Sequence, residues 1–380
     1  MVEYDFDHVS PKMLKETRAK CSQSHFSDKS LNVEVIENGT ILPCVGDRGV
    51  RKGGVVDESG KYYEQSYLHR GVGGSYEFDD SECEYFNEEV VYVGMWHDCW
   101  GHWITDNVKL LWFLFDDRYG RLKNLRFVYT VLWPEFAFSD NSKSLLLKLG
   151  IDIDQLVRIT TKTKFKKIFL PDDCFIKEEG KGCWYTDEYR VLIDRIISDS
   201  CNARLNELVL PSNRVYFTRT KFKNNVDYGE ERIERVFRNL GYTIISPENL
   251  TLDEQILVLQ FAKVLAATEG SITHNAVFMK EGTNIVAVRK YGFVNEYQLA
   301  INEMRSLHVT YVDSHRSSPV NRKYPYLGPF FMYCSKNLSR FANCRQPLFP
   351  ISSYVRYLWR YRPQHIVKKV FKRIKIGLVH

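Results

Sequence analysis

After Asp313 the sequence contains no aspartate or glutamate, although Arg316 to Lys375 supplies 14 lysines and arginines. The net charge of +6 therefore hides two opposite populations: the rest of the chain holds 39 basic and 47 acidic residues, a net of −8. Other absences narrow the function. No apolar run approaches the ~18–20 residues that a membrane-spanning helix requires. The opening segment, Met1 to Lys20, lacks the apolar centre of a secretory signal, so a cytoplasmic location is expected. Nine cysteines are scattered with no C-x-x-C pair among them. That excludes a paired-cysteine zinc ribbon and fits reduced thiols better than a disulfide framework. An acidic body with no recognition motif beside its basic residues is not expected to bind nucleic acid.

What is present fits a two-domain α/β chain. A length of 380 residues exceeds one ordinary core. Aromatic residues make up 14% of the chain, which fits either sugar-stacking surfaces or large aromatic cores. From Arg214 onward, strand and helix patterns alternate with short connections. "RVYFTR", "YTIIS", "VLAAT", "NIVAV" and "HVTYV" read as strands. "EERIERVFRNLG", "LTLDEQILVLQFA" with Thr251 as its cap, a segment from about Ile272, and "NEYQLAINEMRSL" read as helices. This alternation predicts a parallel, doubly wound sheet, in which ligands bind beyond the carboxyl ends of the strands.

The first half reads as irregular β up to about residue 90 and as Rossmann-like from about 91. "VVYVGMW", "RFVYTV" and "KIFL" are its strands, and "GHWITDNVKLLWFLFDD" is a helix. Two Rossmann-like domains facing each other are expected. The boundaries are an acceptor-side domain at 1–205, a second domain at 206–313 that holds the nucleotide ligand, and a basic segment at 314–380. In that last segment Ile366, Val367, Val370, Phe371 and Ile374 share one helical face opposite lysine and arginine. Such a helix suits an anionic membrane surface, or packs back on the N-terminal domain.

Two clusters carry candidate chemistry. The stretch "TEGSITHNAVFMKEG" places a Gly-Ser turn where a helix begins, with Gly270, Ser271, His274 and Asn275 at its N-terminus. Unpaired backbone N–H groups and the positive dipole end would accept a phosphate there. Arg219, Lys221 and Lys223 could neutralise a diphosphate without a metal. Glu269 and Glu254 suit sugar or ribose hydroxyls better than phosphate. In "MWHDCWGHWITDN", His102 and Asp106 are one helical turn apart. Either could serve as a general base, the carboxylate orienting the imidazole and tuning its proton affinity. A histidine that merely caps its own helix is the plain alternative. His97, Cys99 and His102 could be read as metal ligands, but their spacing matches no common zinc pattern, so no metal is expected. The Asp152–Asp154 "DID" follows a helix end and reads as a polar turn.

In their order along the chain, "GHWITDNVKLLW", "YFTR", "LTLDEQILVLQFAKVLAATEGSITHNAVFM" and "GTNIVAV" resemble glycosyltransferase family 61. The matching positions are Gly101, His102, Asp106, Arg219, Glu254, Gln255, Gly270, Asn275, Phe278 and Gly282, between about Val91 and Val288. Glu269 stands where many members have histidine, and Ser271-Ile272 replaces an Ala-Gly pair; His274 resembles the bacterial members. The resemblance implies a GT-B fold, a nucleotide-sugar donor, inversion at the anomeric carbon and no obligatory metal or other cofactor. It further implies a glycan or lipid-linked glycan acceptor in capsule or lipopolysaccharide synthesis, at the inner face of the cell membrane. Two rivals stand beside it: a non-catalytic nucleotide- or glycan-binding protein on the same fold, and a metal-dependent hydrolase.

Overall fold

Eight strands, some of them short, build the first sheet, in the order Tyr62–Tyr63, Lys52–Val56, Thr40–Val45, Thr163–Pro171, Glu84–Trp96, Arg126–Val131 and Leu156–Arg158, with Val33–Glu37 also pairing Thr163–Pro171. The arrangement comes from a computed structural model that describes residues 2–47, 51–204, 210–222, 227–316 and 327–361. Lys223, the predicted helical face at 366–374 and residues 205–209, at the expected boundary between the two domains, lie outside the described residues. The last four strands in that order, from Thr163–Pro171 to Leu156–Arg158, run parallel. The early segments join antiparallel at one edge.

The second sheet is wholly parallel, in the order Glu3–His8, His308–Asp313, Asn284–Arg289, Val264–Thr268, Arg214–Phe217 and Thr243–Ile245. Helices Glu230–Asn239, Leu252–Phe261 and Glu296–Met304 connect its strands. Their ends follow the sequence: Thr251 caps the second by a reciprocal capping box with Glu254, and Gly241, at φ +80°, closes the first. Parallel strands buried on both faces explain the near-continuous apolar runs "VLAA" and "NIVAV".

Three predicted elements differ from what forms. Glu3–His8, inside the expected first domain, is an edge strand of the second sheet. Tyr4 and Phe6 point to one face, where they stack on Tyr311 at 6.1 and 6.3 Å. The helix read from Gly101 to Asp117 is a broken series: α over Trp100–His102, π over Trp103–Asn107, a turn, and 3-10 over Trp112–Phe115. All five residues of the π turn are buried, so no solvent face exists along which an amphipathic helix could continue. Third, the segment after Ile272 is a six-residue 3-10 turn, Thr273–Phe278, every residue of it buried. Its dipole is correspondingly short.

One apolar cluster runs continuously through both sheets, from Val91 and Trp103 to Ala267, Phe278 and Tyr311. The aromatic surplus largely goes there: Trp96, Trp103 and Trp112 are buried, and Trp96 stacks on Tyr129 at 4.5 Å. Each large apolar side chain so buried contributes about 1.5–3 kcal/mol. The predicted polar turn at Asp152 is present, as a capping box on Ile153–Gln155.

Candidate active site

The long strand Glu84–Trp96 delivers His97, Asp98 and Cys99 to its carboxyl end, and the short helix that follows starts at Trp100. Asn107 ties that helix back to the strand: its Oδ1 accepts from the His97 N–H at 3.1 Å and its Nδ2 donates to the His97 carbonyl at 2.7 Å. Lys109 is structural, held by Asp173 at 3.0 Å and donating to the carbonyls of Tyr67 and Leu68.

His102 Nδ1 lies 2.7 Å from Asp106 Oδ2, as the one-turn spacing predicted. The sequence did not reveal the rest of the network. Thr105 Oγ1 donates to the same Oδ2 at 2.9 Å. The Tyr297 hydroxyl donates to Oδ1 at 3.2 Å and lies 2.6 Å from His69 Nε2. His69 itself approaches Oδ1 at 3.5 Å. Burial of Asp106 alone would favour its protonated form. The His69 charge and the hydrogen bonds from His102 and His69 outweigh that, and its carboxyl titrates well below the usual range. A carboxylate held ionised keeps the His102 proton on Nδ1 and leaves Nε2 as the basic nitrogen. This is a histidine with an oriented base face, which a plain helix cap does not require.

His97 flanks His102 with ring centroids 4.6 Å apart. Its Nε2 accepts from Trp133 Nε1 at 3.2 Å and its Nδ1 faces Asp98 Oδ1 at 3.0 Å. Burial, followed by the neighbouring His102 charge, lowers its pKa to about 4, so it is neutral at pH 7. His97, Cys99 and His102 do not form a convergent ligand set among the described residues. His69, His102 and Asp106 do, with ligand atoms within 4.8 Å of one another.

The second sheet meets this network through the Gly270 turn. Gly270 has φ +132°, a conformation that only glycine adopts without strain. Gly101 is the point of closest approach: a Cβ there would sit 2.6 Å from Ser271 Oγ and 3.3 Å from His274 Nδ1. Trp100 Nε1 donates to Asn275 Oδ1 at 2.9 Å, while Asn275 Nδ2 donates to the Ile272 carbonyl. Beside this contact opens a cavity of about 510 Å³. Asp98, Cys99 and Trp100 line it from the first sheet, and Arg219, Phe222, Glu248, Gln255, Ser271, Ile272 and Asn275 from the second.

Of the predicted ligand-binding residues, Arg219, Ser271 and Asn275 line this cavity. His274 is buried against Tyr297, ring centroids 5.7 Å apart, with neither ring nitrogen hydrogen-bonded among the described residues. Burial, then the His102 charge, lowers its pKa to about 4. Glu254 does not line the cavity: its carboxylate accepts from the Thr251 N–H at 2.8 Å and the Thr251 hydroxyl at 2.9 Å. Glu269 also turns away, fully buried, with Oε1 accepting from the Asn295 N–H at 3.2 Å.

Burial pushes Glu269 up to about 7, against the lowering charge of Arg289. A carboxyl with a raised folded pKa costs nothing below its unfolded value near 4.5. It loses native stability as pH rises from there to about 7. Glu269→Gln keeps the acceptor for Asn295 and removes that loss. The variant is expected to match the parent near pH 4 and exceed it above pH 7 by on the order of 1–3 kcal/mol. Urea unfolding across pH 4–8 measures this; parallel curves would mean that Glu269 ionises freely.

His69 and Tyr297 join the site from a loop and from helix Glu296–Met304. Neither carried a sequence signal beyond being a histidine and a tyrosine, because only chain crossing brings them to Asp106. No curated protein gives a significant match to the chain. Residues 100–286, which run from the helix of His102 to the strand behind the Gly270 turn, match the family model described as Glycosyltransferase 61, so this part of the chain is similar to that family.

Proposed function

We propose that the chain is an inverting, metal-independent glycosyltransferase with a GT-B arrangement. In this reading 1–205, built around the first sheet apart from the strand Glu3–His8, presents the acceptor, and 206–313 holds a nucleotide-sugar donor. One observation carries the reading: a cavity of about 510 Å³ is walled by both sheets, with Arg219 in its lining and with Trp100, also in its lining, opening the short helix that carries His102 of the hydrogen-bonded His102–Asp106 pair. That volume falls within the range of small-ligand sites.

The acceptor hydroxyl gives its proton to His102 Nε2, and Asp106 stabilises the imidazolium that forms. The acceptor oxygen bonds to the anomeric carbon as the bond from that carbon to the donor diphosphate breaks. The electron pair leaves with the diphosphate, and attack from the opposite face inverts the configuration. Arg219 and the polar groups of the Gly270–Asn275 turn meet the growing negative charge, where fixed donors are most effective. Lys223 acts with them. Glu248 and Asp98 accept from donor or acceptor hydroxyls. The acceptor is a glycan or lipid-linked glycan of a capsule or lipopolysaccharide pathway, at the inner membrane face toward which the basic C-terminal segment steers the chain.

Thermal-shift measurements with UDP, GDP, CMP and dTDP and their sugars, with and without EDTA, test this. One nucleotide family is expected to raise the melting temperature, and the rise to survive EDTA. Arg219→Ala should weaken that ligand by roughly 10–100-fold, the worth of a charged hydrogen bond. A rise that needs added divalent metal would overturn the metal-free scheme and shift attention to His69, His102 and Asp106. Nucleotide binding without transfer to any glycan acceptor would favour a binding module.

A further inference from the structure

Helix Ile351–Tyr361 rests on the body by one face and leaves the other uncovered. The underside is fixed. Ser353 and Tyr357 are buried, the Tyr357 hydroxyl donates to the Pro329 carbonyl at 2.7 Å, and Arg232 donates to Ser353 Oγ at 2.6 Å. Tyr354 packs edge-on against Phe331 at 4.9 Å. Rolling the helix to hide its outer face would break all of these contacts.

That outer face carries Ile351, Val355 and Trp359, which are 69%, 41% and 51% exposed. At i, i+4 and i+8 they form one stripe about 12 Å long. Leu348, 95% exposed, extends it. Arg356 and Arg360 are exposed beside the stripe, and among the described residues neither pairs with a carboxylate. The helix and the sequence on either side of it carry no acid, since none follows Asp313.

We propose that this face docks on an anionic lipid bilayer. Leu348, Ile351, Val355 and Trp359 enter the boundary between headgroups and acyl chains, and Arg356 and Arg360 meet lipid phosphates. The charge argues for that occupant. A second copy would set the Arg356 and Arg360 of both chains against each other, and the residues after Tyr361 add six more basic side chains and no acid. Tryptophan at the level of the headgroups, with arginines reaching to phosphate, is the pattern of an interfacial helix. The inference deepens the proposed function by naming the element that would hold the enzyme beside a lipid-linked acceptor. It rests on that reading only for its purpose.

The test is co-sedimentation of the full chain with vesicles of phosphatidylcholine alone or with 30% phosphatidylglycerol. Binding is expected to the anionic vesicles and to weaken at high salt. The triple variant Ile351→Ser, Val355→Ser, Trp359→Ser should keep the parent melting temperature and lose roughly tenfold or more in partitioning. Arg356→Gln with Arg360→Gln should lose a smaller part and flatten the salt dependence. A triple variant that binds like the parent would overturn the proposal and assign binding to the tail alone. A parent that ignores vesicles but forms a dimer the triple variant cannot form would overturn it in favour of a copy-to-copy interface. Nucleotide thermal shifts, read without vesicles, stand or fall separately.

Discussion

Replacing Asp106 by asparagine is expected to lower turnover by roughly two to four orders of magnitude, the usual worth of general-base catalysis, with little change in donor affinity. The carboxylate accepts from His102, Thr105 and Tyr297. An amide of the same shape carries no charge and presents an NH₂ group to one of these donors. The His102 proton then loses its anchor on Nδ1, and Nε2 ceases to be the basic nitrogen in part of the molecules. His102→Ala should fall as far, and the double variant little further, because the two residues act as one unit. The donor-induced thermal shift should persist in all three. Transfer rates within threefold of the parent would remove this pair from the chemistry, and the assigned mechanism with it.

Lys290→Met should destabilise the fold by about 3–5 kcal/mol, the cost of breaking a buried ion pair by removing one partner. Lys290 Nζ contacts Asp227 Oδ1 and Oδ2 at 2.9 and 3.0 Å, with side chains 4% and 0% exposed. Thr268 donates to the same carboxylate at 3.1 Å. Glu230 lies close enough that burial, and then the Asp227 charge, raises its pKa to about 8. Without Lys290 two acids share an apolar interior with less to balance them. The loss should show as a lower urea midpoint at unchanged slope. Adding Asp227→Leu should recover part of it, because the buried carboxylate that Lys290 balances is then gone as well. If the single variant is as stable as the parent, the pair contributes nothing net and the interior tolerates the exposed charge.

The parallel sheet after Arg214 was legible because each strand is a short apolar run bounded by a cap or a glycine. Thr251 and Gly241 mark helix ends by local chemistry that no distant residue can alter. The same holds for His102 and Asp106. A four-residue spacing survives the change from the expected α-helix to α followed by π, since both bring i and i+4 onto neighbouring turns. What failed was local prediction of elements buried on every side. Gly101–Asp117 looks amphipathic in sequence. Its polar residues Asp106, Asn107 and Lys109 turn inward to hydrogen-bond partners supplied by other segments, while Thr105 donates to Gly101 and Asp106 within the segment itself.

Tertiary structure also decided where the charges went. Glu254 and Glu269 looked equally suited to a sugar, yet one completes a helix cap and the other is buried against Asn295. Neither outcome depends on residue type alone, because a carboxylate serves whichever donors the fold presents. His69 and Tyr297 became part of the site only because a loop of the first sheet and a helix of the second cross at Asp106. By itself the sequence determined the alternation of strands and helices, the caps, the His102–Asp106 spacing and the acid-free C-terminal segment. These are properties of neighbouring residues and of composition. Only the tertiary structure decided the broken helix after Trp100, the placement of Glu3–His8 beside His308–Asp313, the close contact of Gly101 with Ser271 and the network around Asp106. Each of these depends on which distant surfaces must share one buried volume.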